Sequence, residues 1–154
     1  MRKWERILIL EPSQVLQRRL AAGLEQLGQT PVCFQRASAL LRYLQREPGP
    51  AVVVADCFVP DMDLFSFLKR YTELEGPHPE MRLILTCTET YPPPELRPQI
   101  LSNGADYYMI KPYTAQMLLE SIRHLYSSPV PAHIPGVHPA IVDFLRGLGL
   151  PLEH

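Results

Sequence analysis

Short apolar runs alternate along the chain with longer stretches in which apolar residues recur every three or four positions. Arg6-Ile7-Leu8-Ile9-Leu10 reads as a strand covered on both faces. Over 13–27, Leu16, Leu20, Leu24 and Leu27 share one helical stripe, and Gly28 suits the position just past the helix end. Pro31-Val32-Cys33-Phe34 is a second, weaker strand. Leu40, Leu41 and Leu44 mark a short helix over 38–46 that Pro48 cannot continue. Ala51-Val52-Val53-Val54-Ala55 is the clearest strand, and a helix over 63–73 follows with Leu64, Phe65, Leu68 and Tyr71 inward. Gly76-Pro77-His78-Pro79 is a loop, and Leu83-Ile84-Leu85 and Tyr107-Tyr108-Met109-Ile110 are the last two strands. Thr114 can N-cap a final helix whose stripe is Leu118, Ile122 and Leu125.

Regular strand–helix alternation over residues 1–126 predicts an α/β domain with a parallel sheet and helices on both faces. Right-handed crossovers make that sheet open and doubly wound. Ligands of such sheets bind beyond the carboxyl ends of the strands, so the residues ending each strand belong together. They are Glu11, Asp56, Thr86 and Lys111, the last followed by Pro112. One carboxylate can act as a nucleophile toward phosphorus. A second can help hold magnesium, which takes oxygen ligands and keeps several waters. A hydroxyl and an ammonium can hold phosphoryl oxygens. Thr88 lies two residues after Thr86 on the same face, so the hydroxyl is not unique. Tyr108, three residues before Lys111, can be read as a partly core residue.

In these motifs the chain resembles the receiver domains of bacterial two-component response regulators. The resemblance rests on Ile7-Leu8-Ile9-Leu10-Glu11, on Val53-Val54-Ala55-Asp56 with Pro60 and Met62-Asp63 after it, on Leu85-Thr86-Cys87, and on Gly104-Ala105-Asp106-Tyr107-Tyr108-Met109-Ile110-Lys111-Pro112. It implies a flavodoxin-like five-stranded parallel sheet of order 2-1-3-4-5. It also implies that Asp56 takes a phosphoryl group from a histidine kinase or phosphotransfer protein. Glu11 matches the first residue of the family's acidic pair. Thr86 is implied as the switch hydroxyl, Lys111 as the pairing lysine and Tyr108 as the aromatic switch. Weakly bound Mg2+ would rest on Glu11, Asp56 and the backbone carbonyl of Phe58, and the Lys111–Pro112 bond would be cis. The implied output surface, formed by the fourth helix, fifth strand and fifth helix, would engage a downstream protein or a second copy.

Four departures change that picture. Pro12 stands where the family has its second acid, which removes one metal-binding carboxylate. Leu64 stands where glycine is usual, and Cys87 where a smaller residue is common. Tyr91-Pro92-Pro93-Pro94-Glu95-Leu96-Arg97-Pro98 cannot form a helix interior, so the fourth helix should shrink to about two turns or fewer, starting near Pro98. An alternative function is therefore a pseudo-receiver, an interaction module that signals without phosphorylation. A hydrolase reading would need a second carboxylate near Asp56, with Asp61 or Asp63 as candidates.

The formal net charge of −1 offers no broad basic surface for nucleic acid, and no apolar run is long enough to cross a membrane. The three cysteines, Cys33, Cys57 and Cys87, have no metal-type spacing and read as reduced thiols in a cytoplasmic protein. Cys57 reads as a core thiol facing away from Asp56. The chain reads as a switch rather than an enzyme. Residues 127–138 read as a proline-rich linker whose His133 and His138 suggest no metal site. Residues 139–151 fit a short helix or the start of a further module, and 152–154 resemble the beginning of a histidine tag.

Overall fold

The computed structural model describes residues 6–74 and 80–127. Strands β1 (Ile7–Leu10), β2 (Val32–Phe34), β3 (Val52–Asp56), β4 (Arg82–Cys87) and β5 (Tyr107–Ile110) form one parallel sheet in the order β2-β1-β3-β4-β5. Helices α1 (Gln14–Gln26), α2 (Ala37–Arg46), α3 (Leu64–Thr72), α4 (Arg97–Ser102) and α5 (Ala115–Ser127) connect the strands or follow them. This is the flavodoxin-like, doubly wound sheet that the strand–helix alternation and the family resemblance imply.

The period of two along each strand sorts the core into two layers. Leu8, Leu10, Val53, Ala55, Leu83 and Leu85 pack with α2, α3 and α4. Ile7, Ile9, Val52, Val54, Ile84 and Met109 pack with Leu24 of α1 and Leu118, Leu119, Ile122 and Leu125 of α5. Each fully buried Leu or Ile stabilises the fold by about 1.5–3 kcal/mol relative to exposure, and such residues are the commonest in both layers.

Two inward assignments need correction. Phe65 is exposed, and Phe67 takes the inward place with Leu64, Leu68 and Tyr71. Those four positions follow the i, i+3, i+4, i+7 spacing of one helical face, and Phe65 falls off it. Leu16 is also exposed, on the rim of a cleft of about 580 Å³ between α1 and α5. It lies one turn too close to the helix start to reach under the sheet.

Helix starts explain much of the local geometry. Ser13 caps α1 through Leu16 N–H, Asp63 caps α3 through Ser66 N–H, and Thr114 accepts from Met117 N–H before α5. Helix α2 has Arg36 at its cap position with no capping bond from that side chain. Asp61, distant in sequence, supplies the acceptors: its carboxylate takes the N–H groups of Ala37 and Ser38 at 2.9 and 3.0 Å. Asp61→Ala should therefore lower stability by about 1 kcal/mol, read as a lower urea midpoint with an unchanged slope. An unchanged midpoint would mean that water serves those N–H groups as well as the carboxylate does.

The proline run gives a single 3-10 turn at Pro94–Leu96 ahead of the short α4, in line with the expected shortening. The bonds before Pro92 and Pro112 are both cis, and the family resemblance implies only the second. Gly104 after α4 has φ +115°, and a Cβ there would sit 2.5 Å from Thr72 Cγ2, so both conformation and space require glycine. Helix α5 runs through Ser127, one residue into the expected linker. The expected loop at 76–79, the remaining linker with His133 and His138, the helix over 139–151 and residues 152–154 lie outside the described residues.

Candidate functional site

The carboxyl ends of β1, β3 and β4 and the residue after β5 meet at one edge of the sheet. Glu11 follows β1, and its backbone N–H donates to the Phe34 carbonyl at 3.0 Å, which extends the β1–β2 ladder by one step. Gln17 of α1 pins the same corner, donating to the carbonyls of Glu11 and Phe34 at 3.2 and 2.9 Å. No sequence signal marks Gln17, because a glutamine in an amphipathic helix reads as solvated surface. Glu11 Oε2 accepts from Ser13 N–H at 3.0 Å, leaving Oε1 directed at Lys111.

Lys111 joins the two acids. Its Nζ donates to Glu11 Oε1 at 2.6 Å and to Asp56 Oδ2 at 3.1 Å. The lysine, Glu11 and Asp56 side chains are 20%, 9% and 13% exposed, so the ion triad is largely desolvated. Charges at that depth interact far more strongly than at the surface. Burial raises the Asp56 pKa and outweighs the opposing pull of Lys111, and the Glu11 charge adds to the rise. Burial works in the opposite direction on Lys111, but the bonds to Glu11 and Asp56 outweigh it and hold the ammonium above its usual value. The remaining oxygen of Asp56, Oδ1, accepts from Phe58 N–H at 3.3 Å.

Thr86 is the direct cross-strand neighbour of Asp56 in the β3–β4 register and is buried. Thr88 lies past the strand and is engaged with Tyr91, accepting its N–H at 2.9 Å. Register thus resolves the ambiguity between the two hydroxyls: Thr86 is the one beside Asp56. Asp61 and Asp63 are committed to the starts of α2 and α3. Neither supplies the acid/base partner that a hydrolase reading requires.

Tyr108 lies on β5, half-buried against the layer formed with α2, α3 and α4. The Arg97 guanidinium sits 5.6 Å from its ring centroid and also donates to the carbonyls of Thr88 and Glu89 at 3.1 and 2.9 Å. Arg97 thereby ties the start of α4, the segment after β4 and the face of Tyr108 together. An arginine between prolines carries no sequence signal for this role. Tyr113 is a second neighbour that the strand-end pattern misses: burial first, then the Glu11 and Asp56 charges, push its hydroxyl pKa upward and keep it neutral.

Among the described residues, no cluster of three or more His, Cys, Asp or Glu side chains is arranged to hold a metal ion. Glu11 and Asp56 bring two carboxylates to the edge, and Pro12 adds none. That donor set still fits magnesium, which is commonly held by one or two carboxylates with water and phosphate oxygens completing the shell.

No family model matches the chain. It is 26% identical over 143 residues to the virulence transcriptional regulatory protein PhoP of Salmonella typhi, covering 92% of this chain and 61% of the relative. The chain thus spans about three-fifths of the length of the curated relatives it matches. Among solved structures, the beryllofluoride-activated NtrC4 receiver domain dimer superposes with a TM-score of 0.67 at 22% identity, over 80% of this chain and 97% of that one. The receiver domain of the sensor histidine kinase PA1611 from Pseudomonas aeruginosa PAO1, with magnesium in its active-site cleft, gives 0.67 at 21% identity, over 80% and 98%. Both superpositions establish the fold, and the PhoP likeness extends it to sequence. The described residues therefore have the fold of these receiver domains, and the chain is similar in sequence to a response regulator.

Proposed function

We propose that the domain is a phosphorylation-dependent switch of two-component signalling, with Asp56 as phosphoacceptor. The observation that carries this reading is the bridging of Asp56 Oδ2 and Glu11 Oε1 by Lys111 Nζ, with Thr86 in register beside Asp56. In the proposed step, an Asp56 carboxylate oxygen attacks phosphorus. The P–N bond to a partner's phosphohistidine breaks, and the imidazole leaves with the electron pair. Lys111 exchanges its contact with Asp56 Oδ2 for one to a phosphoryl oxygen, and the Thr86 hydroxyl donates to another. Magnesium, when bound, neutralises phosphoryl charge. Glu11, Asp56 and the Phe58 carbonyl are its proposed protein ligands, with few carboxylates and correspondingly weak binding.

Phosphorylation would shift the population between two states rather than create a new one. Tyr108 and Arg97 connect the site to α4, so the α4–β5–α5 surface is the proposed output face, contacting a downstream protein or a second copy. The proposed donor is a histidine kinase or phosphotransfer protein, and the proposed compartment is the cytoplasm. Pro12 favours a second reading, a pseudo-receiver that binds its partner without phosphorylation. Intact-mass spectrometry after incubation with acetyl phosphate and magnesium separates the two. One added phosphoryl group, lost in Asp56→Asn, is the expected result. A folded protein that takes up none at any magnesium concentration makes the pseudo-receiver the correct reading.

A further inference from the structure

Cys57 and Cys87 each follow a proposed site residue, Asp56 and Thr86, by one position. Strand alternation turns both side chains to the opposite layer, with α2, α3 and α4, where both are buried. Their sulfurs lie 3.2 Å apart. The Asp56–Thr86 pairing and the Cys57 N–H bond to the Thr86 carbonyl place the two residues side by side across β3 and β4. Neighbouring strands run about 4.8 Å apart, inside the Cα separation that a disulfide bridges. The pair therefore needs a short approach of the two sulfurs and no rearrangement of the sheet.

We propose that Cys57 and Cys87 are a reversible disulfide-forming pair, a thiol modification site set one residue beyond the strand-end acid and hydroxyl. The oxidant class is a peroxide. One of the two sulfurs attacks the peroxide O–O bond, forming a sulfenic acid and releasing one water after its own proton is taken up. The other sulfur then displaces the sulfenic oxygen: the S–S bond forms, the S–O bond breaks, and hydroxide leaves as a second water with that thiol's proton. The sulfurs lose two electrons and hydrogen peroxide gains them.

In the 3.2 Å contact either sulfur can donate to the other. The bridge would link the β3 and β4 ends covalently and fix the spacing of Asp56 and Thr86. Its formation does not depend on whether Asp56 takes a phosphoryl group.

The test treats the folded protein with hydrogen peroxide, then unfolds it in an alkylating agent and counts free thiols by intact mass. The reduced chain has three cysteines to alkylate, and the oxidised chain should leave only Cys33. Peptide mapping should join Cys57 to Cys87, and dithiothreitol should restore full alkylation. Cys33→Ser should still form the bridge, leaving no free thiol, and Cys57→Ser should not form it. Three alkylated thiols in peroxide-treated, folded protein would overturn the proposal. A bridge found only between chains or only through Cys33 would do the same, and the wild-type and Cys33→Ser results decide this even if Cys57→Ser fails to fold.

Discussion

Replacing Lys111 with methionine is expected to destabilise the domain by about 2–4 kcal/mol at pH 7. Methionine keeps an apolar stem of similar length, so the change removes chiefly the ammonium. Glu11 and Asp56 then face one another, both largely shielded from water, with no cation between them. Breaking a fully buried pair costs about 3–5 kcal/mol, and the partial exposure of this triad lowers the expectation by about 1 kcal/mol. Asp56 already has a raised pKa through burial, and loss of Lys111 removes the main influence opposing that rise.

The sign of the pH dependence follows. A carboxyl whose folded pKa is raised binds more protons in the folded state, so its ionisation weakens the fold as pH rises through the interval above its unfolded value. In Lys111→Met that interval widens, and the deficit relative to wild type should be greatest near neutrality and shrink toward pH 4. The wild-type lysine has a raised folded pKa, so its contribution is complete below its unfolded value and is lost only as pH rises through the folded one. Urea unfolding of both proteins between pH 4 and pH 8 measures the difference. A deficit below about 1 kcal/mol at every pH would show that the triad behaves as a solvated surface pair.

Restoring the missing acid should have the second large effect. Pro12→Asp is expected to tighten magnesium binding by at least about tenfold, or about 1.4 kcal/mol. Residue 12 lies between Glu11, whose carboxylate is in the site, and Ser13, whose N–H that carboxylate holds. A third carboxylate raises the charge offered to the ion. Without metal it adds repulsion to Glu11 and Asp56, so the variant should melt lower than wild type in chelator and show the larger rise in Tm when magnesium is added. Isothermal titration calorimetry gives the affinity directly. Unchanged affinity would mean that the backbone path after β1 turns residue 12 away from the edge, and that loop geometry rather than the lost carboxylate limits the site.

The first experiment acts on residues that the apolar pattern marks by itself, and the second on one that only the family resemblance marks. Asp56, Glu11 and Lys111 stand out because each ends or follows a strongly apolar strand, and a parallel sheet must bring such ends to one edge. Local chemistry also marks Ser13-to-Gln26 as a helix followed by Gly28, and it marks the shortening of the fourth helix, because proline removes donors wherever it falls. The features that the pattern misses share a different cause. Asp61 caps a helix that begins 24 residues earlier, and Gln17 holds one carbonyl just after β1 and one at the end of β2. Arg97 reaches a ring on β5. Each depends on a partner far away in sequence, where no local pattern signals the contact.

The sequence by itself determined the alternation of strands and helices, the two faces of each strand and the identity of the strand-end acids, because apolar periodicity is a local property. Tertiary structure alone decided which groups touch. Register made Thr86 rather than Thr88 the neighbour of Asp56, and helix phase exchanged Phe65 for Phe67 in the core. The pairing of β3 with β4 brought two cysteines 30 residues apart to within 3.2 Å. The physical reason is that periodicity gives a residue its face, whereas register, set when strands pair and helices dock, gives it its partner.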